Sequence, residues 1–236
     1  MKRLFCFEKA MDHPVAAVMI DLDGTLVDTA GEIGRALAAT LGDFGIAPLA
    51  QDEVVALIGR GVQALVERSL VLRGAAGVDR KAVIERFHVH YAQTVATDAA
   101  LYPGAREGIG MLHGAGRKLA VVTNKPRSYS ERLLEHLDVA SRMDVLVAGD
   151  DGIARKPAGD MIVAACERMG VDVNRALMLG DSDNDVLAAR AAGCRVWCVP
   201  YGYNEGKPVE TLECDRIVSS IEEAARFLLG FPPSRG

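Results

Sequence analysis

The chain has 236 residues, half of them hydrophobic and a quarter charged, with a net charge of −5. That length can bury one large core, or a core and a smaller second unit, and the composition is that of an ordinary soluble globular protein. The acidic balance excludes the broad basic face of a nucleic-acid binder but leaves room for a small anionic substrate, and no stretch approaches the roughly 18 apolar residues of a membrane span.

The first fourteen residues, MKRLFCFEKAMDHP, start basic, but Glu8 and Asp12 interrupt an apolar part too short for a signal peptide. Met11 is an alternative start, which makes residues 1–10 an extension. The first strand is expected over Val15–Ile20, and it runs into three acids, Asp21, Asp23 and Asp28. Residues 29–98 then carry helical periodicity. Ile33, Ala36, Leu37, Thr40, Leu41 and Phe44 form one stripe, and Val62, Leu65, Val66 and Leu70 another. A short helix is expected near Asp52–Ile58, and a further one follows Asp79 as N-cap. Gly31, Pro103 and Gly104 mark the ends of this insert.

From residue 102 onward, strand-like runs at Leu119–Thr123, Val145–Ala148, Ala176–Leu179, Arg195–Val199 and Ile217–Val218 alternate with helix-like stretches. Those stretches are Ala105–His113, Ser128–Leu137, Asp160–Met169, Asp183–Ala192 and Ile221–Leu229. Such alternation specifies an α/β fold, a Rossmann-like parallel sheet covered on both faces. The core is expected over 1–28 and 99–236, with the small all-helical unit, 29–98, inserted after the first strand. The five cysteines are scattered without a CxxC pair, which suggests reduced thiols and a cytoplasmic protein. His88 and His90 do not share a helix face and are not expected to bind metal.

Ligands of parallel sheets bind beyond the strand carboxyl ends. Asp21 and Asp23, Thr123 and Asn124, Lys156, and Asp181 with Asp185 all fall at such ends. Two carboxylates held two residues apart repel one another. A hard dication such as magnesium, held by Asp21, Asp23 and Asp181, would offset that repulsion. A carboxylate can attack phosphorus, and a second acid can protonate the leaving oxygen and then deprotonate water. Lys156, Thr123 and backbone N–H groups of Asp23-Gly24-Thr25 could neutralise the transferred group.

These motifs resemble the haloacid dehalogenase superfamily. Its DxDGT appears as Asp21 to Thr25, its second-motif Thr as Thr123 in VVTNKP, its Lys-Pro as Lys156-Pro157, and its GDxxxD as Gly180 to Asp185. Where many relatives read KPxP, this chain continues Ala158-Gly159. The resemblance implies Asp21 as nucleophile and metal ligand, and Asp23 as general acid/base with its backbone carbonyl on the metal. It further implies Asp181 as a third metal contact, Asp185 supporting it or Lys156, Thr123 and Asn124 holding the phosphoryl group, and Lys156 neutralising it. The insert resembles the mobile cap of that superfamily.

Within it, IGRGVQALVERSL (58–70) and VPYGYNEGKP (199–208) resemble phosphoglycolate phosphatases. The expected partner is a small-molecule phosphate ester, with no nucleic acid, no membrane, and a monomer or homodimer. Another sugar-phosphate phosphatase, a phosphomutase and a non-catalytic binding protein remain alternatives. A dehalogenase would not need Asp23, and a Schiff-base phosphonate hydrolase would need a cap lysine other than Lys81. Arg60 is either part of a helix–helix turn or a cap residue reaching a substrate anion. Asp28 is expected to cap the first insert helix, residues 200–208 to form a surface loop, and Trp197 to lie in the core.

Overall fold

The computed structural model describes residues 14–232, so the N-terminal extension, Met11 and Cys6 lie outside the described residues. Four consecutive buried apolar residues make β1 (Ala17–Ile20), and their period of two divides them between faces. Val18 and Ile20 enter one core cluster, whereas Ala17 and Met19 enter the other. The same burial builds β4 (Lys118–Val122), β5 (Val145–Val147), β6 (Ala176–Gly180), β7 (Arg195–Cys198) and β8 (Arg216–Ile217). Together with β1 they form one six-stranded sheet, in the order β5-β4-β1-β6-β7-β8. Every pairing in it is parallel. The strand order reverses beside β1, so a crevice opens where β1 meets β6.

Helices α5 (Ala105–Gly114), α6 (Arg127–His136) and α9 (Ile221–Leu228) cover one face through Ile109, Leu112, Leu133 and Ile221. Helices α7 (Asp160–Met169) and α8 (Asp183–Ala192) cover the other through Met161, Ile162, Ala165 and Ala189. Trp197 is buried, as expected.

The insert contributes α1 (Ala30–Asp43), α2 (Gln51–Val55), α3 (Gly61–Leu72) and α4 (Arg80–Thr94). Asp79 caps α4 by accepting from Lys81 N, as its position implied. The apolar stripes, including Leu37, Leu41, Val66, Val83 and Phe87, join the core cluster of the first sheet face. The sequence reading missed a two-stranded antiparallel ribbon, β2 (Val27–Asp28) with β3 (Ala100–Leu101). Two residues per strand carry no readable alternation. The ribbon sets the entry and exit of the helical insert side by side, and Gly31, expected at a hinge, lies within α1. Among the described residues no helix is long and apolar enough to cross a membrane.

Candidate active site

Asp21 follows β1 directly and continues its ladder, its N–H donating to Leu179 O at 2.9 Å. The chain then turns sharply. Gly24 adopts φ +87°, its N–H donates to Val27 O at 3.0 Å, and a Cβ there would press on Asp181 and Tyr203. This turn carries both Asp21 and Asp23 to one cavity, lined also by Thr123 and Lys125.

Lys156, buried in the loop before α7, lies 2.8 Å from Asp21 Oδ1 and 2.7 Å from Asp185 Oδ1. Asp185 also accepts from Asp181 N and Ser182 N, each at 3.2 Å, and so closes the N-terminus of α8. Asp181 accepts from Thr25 Oγ1 at 2.9 Å, and from Tyr203 N at 2.6 Å and Asn204 N at 3.3 Å. Those last two donors correct the expectation of a surface loop at 200–208. Tyr203 and Asn204 are buried, and their backbone amides hold an active-site carboxylate. The Tyr203 hydroxyl accepts from Thr29 N and Ala30 N at the start of α1 and donates to Asp28. Asp28 itself accepts from Ala30 N at 3.2 Å, so the first insert helix is capped by two side chains.

Asp21, Asp181 and Asp185 each present an oxygen within 4.8 Å of the others. Burial raises the Asp21 carboxyl well above its usual range; Lys156 opposes the shift, while Asp185 and Asp181 add to it. Burial and then Asp185 push Asp181 up to about 6, against the pull of its Tyr203 and Thr25 donors. Three carboxylates crowd together while the one lysine among them pairs with Asp21 and Asp185 alone, and this all-oxygen set fits a hard dication that would absorb the excess charge. Gly202 adds to the fit, because a Cβ there would overlap the Asp181 side chain. Gly202→Ala is therefore expected to displace Asp181 and to cost about 10- to 100-fold in divalent-ion requirement or activity. A magnesium titration of activity checks this, and an unchanged half-saturation would count against it.

The Asp23 carboxylate faces elsewhere. Its Oδ1 accepts from Thr29 Oγ1 at 2.7 Å and from Lys125 Nζ at 2.8 Å. Thr123 Oγ1 accepts from Lys125 N at 3.2 Å. Asn124 spends its amide on Gly59 O at 3.0 Å and Lys156 O at 2.9 Å, and so ties the insert to the lysine loop. Arg60 is half-exposed and paired with Glu205 at 2.6 Å. Its neighbours Gly59 and Gly61 line the cavity.

The family model of haloacid dehalogenase-like hydrolases matches residues 18–199, which spans Asp21, Asp23, Thr123, Lys156, Asp181 and Asp185 but not the Tyr203 loop. The chain belongs to the haloacid dehalogenase-like hydrolase family. Among its relatives in this family, a phosphoglycolate phosphatase of Nitrosospira multiformis is 41% identical over 91% of this chain and 96% of its own. One from Cupriavidus necator is 41% identical over 91% and 94%. Of solved structures, a predicted phosphoglycolate phosphatase of Haemophilus somnus superposes with a TM-score of 0.86 at 26% identity, over 90% of this chain and 97% of that one. CbbY of Rhodobacter sphaeroides, in complex with phosphate, gives 0.76 at 27%, over 89% and 96%. The protein is thus a phosphoric monoester hydrolase of the haloacid dehalogenase-like family.

Three residues bonded to the carboxylate cluster or to the cavity lining escaped the sequence reading. Lys125 sat unremarked inside TNKP, although it directly follows Asn124. Tyr203 lay in a segment whose Gly and Pro content reads as exposed loop. Glu32, an acid on an apolar helix stripe, is buried and accepts from Tyr91 Oη at 2.8 Å and Ala96 N at 2.9 Å. Only the last carried a usable signal, a charge at a core-facing position.

Proposed function

We propose that the chain is a magnesium-dependent phosphatase that hydrolyses 2-phosphoglycolate through an aspartyl-phosphate on Asp21. The observation that carries this reading is the buried Asp21 carboxylate, held 2.8 Å from Lys156 at the crevice between β1 and β6, with Asp23 on the same cavity. The names of the curated relatives, at 34–41% identity, support the choice of ester.

An Asp21 oxygen attacks phosphorus, the phosphorus–ester oxygen bond breaks, and Asp23 gives its proton to the departing glycolate oxygen. Asp23 then takes a proton from water. The resulting hydroxide oxygen attacks phosphorus, the bond to Asp21 breaks, and phosphate leaves. Thr29 and Lys125 hold the Asp23 carboxylate through both proton transfers. Lys156 and Thr123 meet the charge on the phosphoryl oxygens. Asp21, Asp181 and the Asp23 backbone carbonyl would hold magnesium, which when bound supplies charge neutralisation. Residues 29–98 serve as a cap that opens for entry and closes to exclude water. The free thiols at Cys166, Cys194, Cys198 and Cys214 suit a cytoplasmic enzyme.

The cavity itself, about 40 Å³, favours a small ester. A sugar-phosphate phosphatase or phosphomutase would share the same core residues. Apart from Tyr91, whose hydroxyl is spent on Glu32, the side chains the insert brings to the cavity are apolar, Ile33, Ile58, Val62, Leu65 and Phe87, and would leave sugar hydroxyls unpaired. A panel of phosphate esters assayed with and without magnesium tests the reading. Expected are fast phosphate release from 2-phosphoglycolate, slow release from hexose phosphates, and none after chelation. Ranking of 2-phosphoglycolate among the poorest esters would end the substrate assignment.

A further inference from the structure

Lys125 is 5% exposed, yet it lines the cavity, and among the described residues it is the only cationic side chain that does so. Its ammonium lies 2.8 Å from Asp23 Oδ1 and 4.8 Å from the centroid of the Tyr91 ring. An ammonium has three N–H donors, and Asp23 engages one of them. Of the other cations nearby, Lys156 lies between Asp21 and Asp185, Arg60 and Arg68 share Glu205, and Arg155, which does not line the cavity, donates its Nε to Gly149 O.

We propose that Lys125 is the residue that recognises a carboxylate on the substrate, so that the pocket selects short phosphomonoesters bearing a carboxylate one carbon from the ester carbon. This inference rests on the phosphatase reading above. The placement follows from the chemistry of Asp23. The group that exchanges a proton with the leaving oxygen lies beside that oxygen, so the ester carbon sits next to Asp23. A carboxylate carbon is then two bonds from the leaving oxygen, and Lys125 is the cation 2.8 Å from Asp23. The apolar side chains of Ile33, Val62, Leu65 and Phe87 on the insert side of the cavity offer an anion nothing. Thr123 Oγ1 fixes the Lys125 backbone, and the Tyr91 ring backs its ammonium, so the cation is held before a substrate arrives. Its contact with Asp23 also couples recognition to proton transfer. With three N–H donors the ammonium keeps one on Asp23 while it offers another to the substrate carboxylate, so one side chain holds both groups during the proton transfer.

The test compares 2-phosphoglycolate with its carboxamide and with ethyl phosphate, which keep the ester and lose the charge. The wild type is expected to favour the acid by about 10- to 100-fold in kcat/KM, the range of one charge-assisted contact. Lys125→Met is expected to bring that ratio to near unity, chiefly through KM for the acid, while any loss common to all three esters reports the Asp23 contact. An undiminished ratio in K125M overturns the inference, because the lysine then acts on Asp23 alone. If K125M does not fold, the wild type decides: equal kcat/KM for acid and carboxamide overturns the inference. Collapse of the ratio in Arg60→Ala, with K125M retaining it, moves recognition to the insert and likewise overturns it. Hydrolysis of the neutral esters without preference defeats the Lys125 assignment alone, whereas no hydrolysis of any phosphomonoester defeats the phosphatase reading and this inference with it.

Discussion

Asp21→Asn is expected to abolish turnover and to leave the fold standing. An amide cannot form the acyl phosphate of the proposed mechanism, so kcat should fall by a factor on the order of 10⁴ or more for every ester, with no recovery at higher substrate. Stability moves the other way. Burial, reinforced by Asp185 and Asp181 against the pull of Lys156, raises the folded Asp21 carboxyl above its ordinary 3.8. The native state therefore binds this proton more tightly than the unfolded state does. Stability is lost as pH rises from the unfolded value through the folded one. Asparagine does not titrate. Without divalent ion, D21N should melt level with the wild type in acid and above it at neutral pH. Melting curves across that pH range, beside a phosphate-release assay, provide the check. Retention of more than about one per cent of wild-type kcat would remove Asp21 from the nucleophile role.

Lys156→Met strikes the same cluster from its positive side. The lysine is fully enclosed and bonds Asp21 and Asp185 at 2.8 and 2.7 Å, so its loss leaves two buried carboxylates without a cation. Removing one member of a buried ion pair costs about 3–5 kcal/mol, and urea unfolding should register a deficit of that size. Burial by itself would lower the Lys156 ammonium, but Asp185 and Asp21 outweigh it and the net shift is upward. A raised lysine contributes its full stability below its unfolded value and loses it only in strong alkali. The ammonium itself stays charged from about pH 6 to 9, but Asp21, freed of the lysine's downward pull, takes up a proton more readily, so the deficit should shrink toward the acid end of that range and grow toward the alkaline end. Magnesium should restore part of it by taking over charge neutralisation. A deficit under about 1 kcal/mol would show that the carboxylates relax into solvent instead.

Much of the architecture was legible. Apolar runs of strand length located β1, β4, β5, β6, β7 and β8 to within two residues, because burial on both sheet faces writes itself into local composition. Helices α7 and α8 were bounded correctly at Asp160–Met169 and Asp183–Ala192, since each begins after a turn and ends at Gly170 or Gly193 in the left-handed region. The ribbon of β2 and β3 was not legible, since two residues hold no period. Nor was the loop of Tyr203. Its Gly, Pro and charged residues match exposed loops, and its burial follows from where β7 ends beside β6 rather than from its own composition.

The sequence by itself determined which chemistry is available: an acid pair after a buried strand, a lysine after the third strand of the main sheet, and a further acid pair after the fourth. Side-chain type and strand period are local properties, so they survive without coordinates. Only the tertiary structure decided who answers whom. It set Lys156 between Asp21 and Asp185, gave Asp181 to the amides of Tyr203 and Asn204, engaged Arg60 with Glu205, and aimed Lys125 at Asp23. Some partners around the site lie 175 residues apart in the chain, as Asp28 and Tyr203 do. Sheet order and register brought them together, and neither is encoded in the spacing of any one segment.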